Sequence, residues 1–190
     1  MRVTVSDEQI RAAFAPVRHL PDFRESCELF ESGKPPLEMI QAMCLRPELL
    51  AAFGQFGGGV YPGGLIEQRL KELVILESSR RNACQFCVGT HVAVMRSLGM
   101  ADAPLAALDA PGELSAREDA ALRYTRAAMT DSNRVPEELF AELHGLFSDA
   151  ELVELTFLVG FINMLNMFNN LLQVTYHGEY DGAADLHRMP

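Results

Sequence analysis

The 190-residue sequence contains no tryptophan, and only 8% of its residues are aromatic. It is also short of positive charge, since 16 Lys and Arg stand against 26 Asp and Glu and give a formal net charge of −10. Such a chain repels phosphate backbones and anionic membrane surfaces, and its scattered basic residues form no patch for nucleic acid. We therefore expect neither a nucleic-acid partner nor a membrane partner.

Runs of alternating β-branched residues are absent as well, whereas helical periodicity recurs along most of the chain. Ser6 with Gln9, and Ser115 with Glu118, have the spacing of capping boxes that open helices. The sequence therefore predicts an all-α fold, built as a bundle of many helices.

The length and the apolar content of 48% allow one substantial core. We predict a single domain over residues 1–190, with a core of about 46–108 and a helical C-terminal half of about 114–176. The tail after His177 is expected to be loosely ordered.

The N-terminus lacks the apolar run of a signal peptide, so the expected location is cytoplasmic. The stretch from Leu152 to Val174 is long and apolar enough to suggest a membrane span. It carries Glu154 and five amide side chains, however, which would be costly in lipid. We interpret it as a helix buried in a protein core or subunit interface.

Cysteines are few, and only two of the four form a motif. Cys27 and Cys44 are isolated and are expected to be buried, reduced thiols. Cys84 and Cys87 form a CxxC pair, and His91 follows one turn later. On a helix these three side chains share a face within about 60° of one another. A cysteine reacts as the thiolate, which CxxC motifs, helix N-termini and imidazolium groups all favour.

Three interpretations of this motif remain open on the residues alone. A CxxC pair is half of a common zinc site, although no second pair is available to complete it. The two cysteines could equally be buried core residues. The third interpretation is a dithiol in which one thiolate attacks an oxidised substrate and the other forms a disulfide. Only this one uses Cys84, Cys87, His91 and also Glu72, twelve residues before the first cysteine.

The pattern of a Glu, eleven residues, CxxC, three residues and a His resembles the carboxymuconolactone decarboxylase and alkylhydroperoxidase D superfamily. It is carried by Glu72-Leu73-Val74-Ile75-Leu76, by Asn82-Ala83-Cys84-Gln85-Phe86-Cys87, and by His91 and Gly99. The resemblance covers about Arg46 to Leu108. It implies an alkylhydroperoxidase D-like bundle with the CxxC motif at the N-terminus of a central helix.

The resemblance also implies roles for the four residues. Cys87 would be the peroxidatic nucleophile and Cys84 the resolving thiol, while His91 and Glu72 would relay a proton. The implied activity is a thiol-dependent hydroperoxide reductase that needs no metal or organic cofactor. The sequence departs from well-characterised members at Phe86, where they carry a second histidine.

The implied partners are a small hydroperoxide or disulfide substrate and a thiol reductant, either a protein or a small dithiol. Relatives are often trimers or hexamers, so a homo-oligomer is expected. Two alternatives remain: an enzyme like carboxymuconolactone decarboxylase, which acts on a lactone acid without a dithiol, or a non-enzymatic helical module that senses redox state or binds a metal.

Two further polar features need an explanation. Glu77 falls within the apolar arc of its helix, so we expect an ion pair with Arg80, Arg81 or a donor on another helix in preference to a catalytic role. Three asparagines of the C-terminal half recur at i, i+3 and i+7, which favours a subunit seam over an active-site wall. They are Asn163, Asn166 and Asn170.

Overall fold

A computed structural model describes residues 1–100 and 104–178, and over these residues the secondary structure is helical, without a strand. The all-α prediction is confirmed. The tail expected to be loosely ordered lies outside the described residues from position 179 onward, and the single-domain prediction remains a prediction. The ten described α-helices are α1 (Asp7–Phe14), α2 (Arg24–Glu31), α3 (Glu38–Met43), α4 (Pro47–Gly57), α5 (Gln68–Arg81), α6 (Gln85–Ser97), α7 (Pro104–Ala107), α8 (Ala116–Thr130), α9 (Glu137–Leu146) and α10 (Asp149–Leu172).

Serine caps fix the starts of three of these helices. Ser6 before α1 and Ser115 before α8 form the two predicted capping boxes, and Ser148 forms a third before α10. In each box the serine accepts a backbone N–H of the first turn, while a Gln or Glu side chain accepts the serine's own N–H. These contacts satisfy donors that a helix N-terminus would otherwise leave unpaired.

Helix α5 lies at the centre of the fold. Its residues 70–79 are all buried, and it packs against α6, α8 and α10. Leu70, Leu73 and Leu76 have no exposed surface. Because neighbours cover α5 on several sides, every charged side chain within this stretch has to find a partner in the core.

The N-terminal helices α1 to α4 contribute a second apolar cluster, which contains Cys27 and Cys44. Both thiols are free and buried, as predicted, at 7% and 2% exposure. Burial raises the pKa of Cys27 and raises that of Cys44 to about 12. Neither cysteine is therefore a thiolate near neutral pH.

Helix α10 is long and apolar enough to cross a membrane by length and composition alone, and 44% of its most apolar window is buried. Its buried polar residues bond to other parts of the chain: Glu154 to Lys71, Asn166 to Ser79, and Asn169 to a cysteine described below. These contacts are typical of a core helix. The absence of a membrane partner remains a prediction.

A buried ion pair joins α5 to α10. Lys71 Nζ lies 2.9 Å from Glu154 Oε1, and the two side chains are 0% and 9% exposed. Lys71 also donates to the carbonyl oxygen of Gly63, while Glu154 accepts the backbone N–H groups of Leu65 and Ile66 at 2.5 and 3.1 Å. Burial alone would raise the pKa of Glu154, but these amides and the Lys71 ammonium together lower it. The pair thereby anchors the loop between α4 and α5.

We expect Glu154→Leu to lower the free energy of unfolding by about 3–5 kcal/mol, because it leaves the Lys71 ammonium buried without a counter-charge. The double variant Lys71→Met/Glu154→Leu should recover a large part of this loss, since it removes both charges. Urea unfolding at pH 7 measures the three values.

Glu31→Gln is the control, because Glu31 pairs with Arg18 on the surface, where the side chains are 59% and 65% exposed. Its effect should lie within the error of the unfolding measurement. A loss for Glu154→Leu no larger than that for Glu31→Gln would contradict the assigned importance of the buried pair.

Candidate active site

The two cysteines of the CxxC motif lie at the N-terminus of α6, as predicted. Cys84 is the N-cap residue, and its Sγ is 3.4 Å from the backbone nitrogen of Cys87 and 2.6 Å from the Cys87 Sγ. The residues are 1% and 4% exposed. A helix N-terminus presents free N–H groups and the positive end of the helix dipole, which favour a thiolate.

A tight connection brings this motif back against α5. Asn82 is the C-cap of α5, and Ala83 adopts a left-handed conformation with φ of 50°. The backbone N–H of Cys84 then bonds to the carbonyl oxygen of Ser79 at 2.9 Å, a pattern that commonly terminates helices. Because the connection is so short, α6 starts beside the end of α5 and packs along it.

The predicted Glu72 and His91 meet across the α5–α6 interface. His91 Nδ1 lies 2.7 Å from Glu72 Oε2, and the side chains are 15% and 0% exposed. Burial alone would lower the pKa of His91, but the neighbouring carboxylate outweighs burial and raises it. The arrangement favours a charged imidazolium held by a buried carboxylate.

Two further residues contact the same carboxylate and were not predicted. The Tyr61 hydroxyl and the Gln68 side-chain amide donate to Glu72 Oε1 at 2.6 and 2.8 Å. The Tyr61 ring also meets the His91 ring edge-on, with centroids 5.4 Å apart. Gln68 lies at i−4 from Glu72, a spacing that the sequence offered as a signal. Tyr61 lies in a loop, where no periodicity indicates such a contact.

Electrostatics separate the two cysteines. The largest effect on the pKa of Cys87 is the hydrogen bond from the Cys84 S–H group, which lowers it. Burial acts in the opposite direction, and the resulting pKa of Cys87 is about 6. The Asn169 amide and the His91 charge lower the pKa of Cys87 further. The pKa of Cys84 is raised, chiefly because its thiol donates to Cys87 and because it is buried. This arrangement favours a thiolate at Cys87 beside a protonated Cys84.

The asparagine stripe of α10 binds the α5–α6 connection of the same chain. Asn82 Nδ2 donates to Asn163 Oδ1 at 2.6 Å and to Asn166 Oδ1 at 2.9 Å, while Asn170 donates to the Asn82 carbonyl oxygen at 2.8 Å. The favoured interpretation of the stripe as a subunit seam remains a prediction, and the contacts described here are made by its amides within the chain. They hold the segment that leads into Cys84.

A fourth asparagine of α10 reaches the reactive sulfur itself. Asn169 Nδ2 lies 3.2 Å from Cys87 Sγ, and the residue is 1% exposed. Asn169 does not belong to the predicted stripe, although its spacing of three residues from Asn166 places the two on neighbouring parts of one face. The site thus has a hydrogen-bond donor that the sequence analysis missed.

Apolar side chains cover the dithiol. Val174 and Phe86 are buried against the two cysteines, and Met39 and Tyr176 pack on the same cluster. Gly89 permits this close approach, because a Cβ there would lie 2.3 Å from a ring carbon of Tyr176. Phe86 is therefore a packing residue in this cluster.

The covering segment after α10 is fastened to α3 by Glu38. The backbone N–H of Thr175 donates to Glu38 Oε2 at 2.8 Å, and His177 Nε2 lies 3.0 Å from Glu38 Oε1. The segment that carries Val174 and Tyr176 is thereby held over the start of α6.

Glu77 belongs to a structural ion pair, as predicted. Its carboxylate lies 2.6 Å from Arg80 and 2.8 Å from Arg126 of α8, and its side chain is 1% exposed. It takes no part in the dithiol site. Among residues 1–100 and 104–178, no group of three His, Cys, Asp or Glu side chains is arranged to hold a metal ion. The prediction of a metal-free and cofactor-free site remains a prediction.

Comparison with known proteins bears on this arrangement. The model of the carboxymuconolactone decarboxylase family matches residues 47–127, which include Glu72, both CxxC cysteines and His91. The uncharacterized protein YdfG of Bacillus subtilis (strain 168) is 29% identical over 105 residues, which are 53% of this chain and 71% of YdfG.

Two solved structures share the fold. A peroxidase-related protein with an alkylhydroperoxidase AhpD core from Ralstonia eutropha JMP134 superposes with a TM-score of 0.76 at 18% identity, covering 100% of this chain and 97% of the other. A protein from Agrobacterium tumefaciens, proposed to be the antioxidant defence protein AhpD, has a TM-score of 0.63 at 28% identity. The match covers 71% of this chain and 94% of that protein. The chain is therefore similar to the carboxymuconolactone decarboxylase family over residues 47–127, and it shares its fold with alkylhydroperoxidase D-like structures.

We expect the ultraviolet absorbance of the Cys87 thiolate to appear with a midpoint near pH 6, the thiol predominating below it and the thiolate above it. Glu72→Gln should move this midpoint to higher pH. Without the carboxylate His91 loses its proton at lower pH, so the thiolate loses a neighbouring positive charge. Absorbance titration of the reduced protein measures both midpoints.

Asp109→Asn is the control, because it removes a carboxylate that is 64% exposed and pairs with Arg80 instead. Its midpoint should match that of the wild type. A wild-type midpoint near the ordinary cysteine value, or one that Glu72→Gln leaves in place, would contradict the proposed electrostatics.

Proposed function

We propose that this protein is a thiol-dependent hydroperoxide reductase in which Cys87 attacks the peroxide, Cys84 resolves the product, and His91 and Glu72 handle the proton. The main support is the contact of 2.6 Å between the two sulfurs, with the pKa lowered at Cys87 and raised at Cys84. The match to the carboxymuconolactone decarboxylase family over residues 47–127 and the likeness to the Agrobacterium tumefaciens protein support an enzyme of the peroxidase or decarboxylase type.

The first step is an attack on the O–O bond. The Cys87 thiolate forms a bond to the terminal oxygen of a hydroperoxide R–O–O–H, and the O–O bond breaks. Cys87 becomes a sulfenic acid, Cys–S–OH, and an alkoxide leaves. The alkoxide takes the proton that His91 had accepted from the Cys87 thiol, giving the alcohol. Glu72 stabilises the intervening imidazolium.

The second step closes the disulfide. Cys84 attacks the Cys87 sulfenic sulfur, its proton leaves with the hydroxyl group as water, and a Cys84–Cys87 disulfide forms. The peroxide has then been reduced by two electrons and the pair oxidised by two. An external dithiol, either a small molecule or a reductant protein, returns the pair to the thiol form by exchange. A small disulfide is a second acceptor class for the same pair.

Two alternatives are distinguishable in simple assays. A lactone decarboxylase would retain its turnover when both cysteines are replaced. A redox-sensing or metal-binding module would lack turnover, and metal analysis of the purified protein would find about one ion per chain if it binds zinc. The closely placed dithiol gives no support to a decarboxylase, which has no use for it, or to a metal site, which requires more ligands. A redox sensor would use the same dithiol and differs from the proposed enzyme by its lack of turnover.

A homo-oligomer, testable by solution mass, remains part of the proposal, as does the cytoplasmic location. The homo-oligomer is supported by a row of exposed apolar side chains along the outer face of α10, beside an open apolar groove of about 690 Å³. The row consists of Val153, Phe157, Met164, Met167 and Leu171. An exposed apolar patch of this kind marks contact surfaces in many proteins.

We expect Cys87→Ser to abolish peroxide consumption in the presence of excess dithiol, because the nucleophile is lost. Without added reductant, Cys84→Ser should consume about one peroxide per chain and leave a Cys87 sulfenic acid that a carbon nucleophile can trap, because no second thiol of the motif resolves it. Peroxide consumption and peptide mass mapping measure the two results.

The double variant Cys27→Ala/Cys44→Ala is the matched control, since it removes the two buried cysteines outside the motif. It should turn over as the wild type does. Equal rates for the wild type and Cys87→Ser would refute the nucleophile assignment.

A further inference from the structure

The Asn169 side chain has an incomplete set of hydrogen bonds. Its Nδ2 donates to Cys87 Sγ at 3.2 Å, and the same nitrogen lies 3.6 Å from the Met39 sulfur. Its Oδ1, by contrast, is buried and has no hydrogen-bond partner. An unsatisfied buried acceptor costs about 1–3 kcal/mol, so such a group is expected to be rare unless it serves a purpose.

The unpaired oxygen lies close to the reacting atom. Oδ1 and Nδ2 are bonded to the same carbon, so Oδ1 is within roughly 6 Å of the Cys87 sulfur. The nearby wall is apolar, formed by Val174, Phe86 and Met39. Among these side chains, Asn169 therefore provides the acceptor that a bound hydroxyl group could use.

We propose that Asn169 is a catalytic residue whose Nδ2 holds the Cys87 sulfur and whose Oδ1 accepts the O–H of the hydroperoxide's terminal oxygen. This inference rests on the proposed function. The amide nitrogen binds the attacking sulfur and the amide oxygen binds the O–H of the peroxide, so one planar group holds both atoms that the new S–O bond joins.

The amide matches each stage of the first step. Before attack, Nδ2 stabilises the thiolate and Oδ1 orients the peroxide with its terminal oxygen toward the sulfur. During attack the S–O bond forms, the O–O bond breaks and the alkoxide departs with the proton from His91. The terminal oxygen keeps its own hydrogen throughout, so the O–H group of the resulting Cys87 sulfenic acid still donates to Oδ1. No proton passes through the amide, and the electron balance of the proposed reaction is unchanged.

Asn169→Leu tests the donor role of Nδ2 and the acceptor role of Oδ1, because leucine is of similar size and has neither a donor nor an acceptor. The thiolate midpoint of Cys87 should rise by about one pH unit, as expected when a hydrogen bond to a charged group is lost. An unchanged midpoint would overturn the donor role. Thr156→Val is the control: its hydroxyl lies on the same helix but bonds to the Leu152 carbonyl oxygen and to Tyr124, away from the dithiol, so its midpoint should be that of the wild type.

The acceptor role is tested at a pH above the midpoints of both proteins, where Cys87 is a thiolate in each. The second-order rate constant with tert-butyl hydroperoxide should then be about tenfold lower in Asn169→Leu. The rate constant with iodoacetamide, which has no O–H group on its reacting atom, should not fall, because a thiolate of higher pKa is at least as nucleophilic. An equal effect on the two reagents, or none on the hydroperoxide, would overturn the acceptor role.

Two precautions keep the outcomes separate. If Asn169→Leu does not fold, Asn169→Ser withdraws both groups from Cys87 without adding apolar bulk, and the same outcomes apply. If the wild-type Cys87 is alkylated but consumes no hydroperoxide, the proposed function fails and the acceptor role fails with it. The titration would still decide whether Asn169 donates to the sulfur.

Discussion

The structure depends on the pairing of three charged side chains that α5 carries into the core. Lys71, Glu72 and Glu77 are each no more than 1% exposed, and leaving any of them unpaired would cost several kcal/mol. Each is paired with a different neighbour: Lys71 with Glu154 on α10, Glu72 with His91 on α6, and Glu77 with an arginine on α8. One of these three ion pairs, Glu72 with His91, therefore joins two helices and is also the pair to which proton handling is assigned.

This constraint explains why the candidate site is buried and nevertheless suited to thiolate chemistry. A thiolate in apolar surroundings is unfavourable, and burial does raise the pKa of Cys27 and Cys44. At Cys87 the S–H of Cys84, the Asn169 amide and a nearby imidazolium offset that cost. All four cysteines are buried, so burial does not explain why the pKa of Cys87 is lowered. The neighbours that the fold places around the Cys87 sulfur explain it.

The sequence predicted the local part of this site well. Cys87 and His91 lie within α6 and Cys84 is its N-cap residue, so local spacing along the chain brings the three together. Glu72 came from the resemblance to a known family, and the structure brings it to His91. The helical fold could likewise be predicted, because caps and apolar periodicity are local signals.

The remaining part of the site could not be predicted because it depends on how helices pack. Asn169 is 82 residues from Cys87 along the chain, and Tyr61 reaches Glu72 from a loop without periodicity. The asparagine stripe was recognised as one face of a helix, but the sequence did not indicate its partner within the chain, Asn82 on the α5–α6 connection. A pattern within one helix identifies a face and leaves open what that face contacts.

The most direct test of the central claim is to treat the fully reduced protein with one equivalent of tert-butyl hydroperoxide and map its cysteines by mass spectrometry. The account predicts that two thiols per chain are lost, that they are joined as a Cys84–Cys87 disulfide, and that Cys27 and Cys44 stay reduced. Four unmodified thiols, or oxidation at Cys27 or Cys44 with the CxxC pair intact, would contradict it.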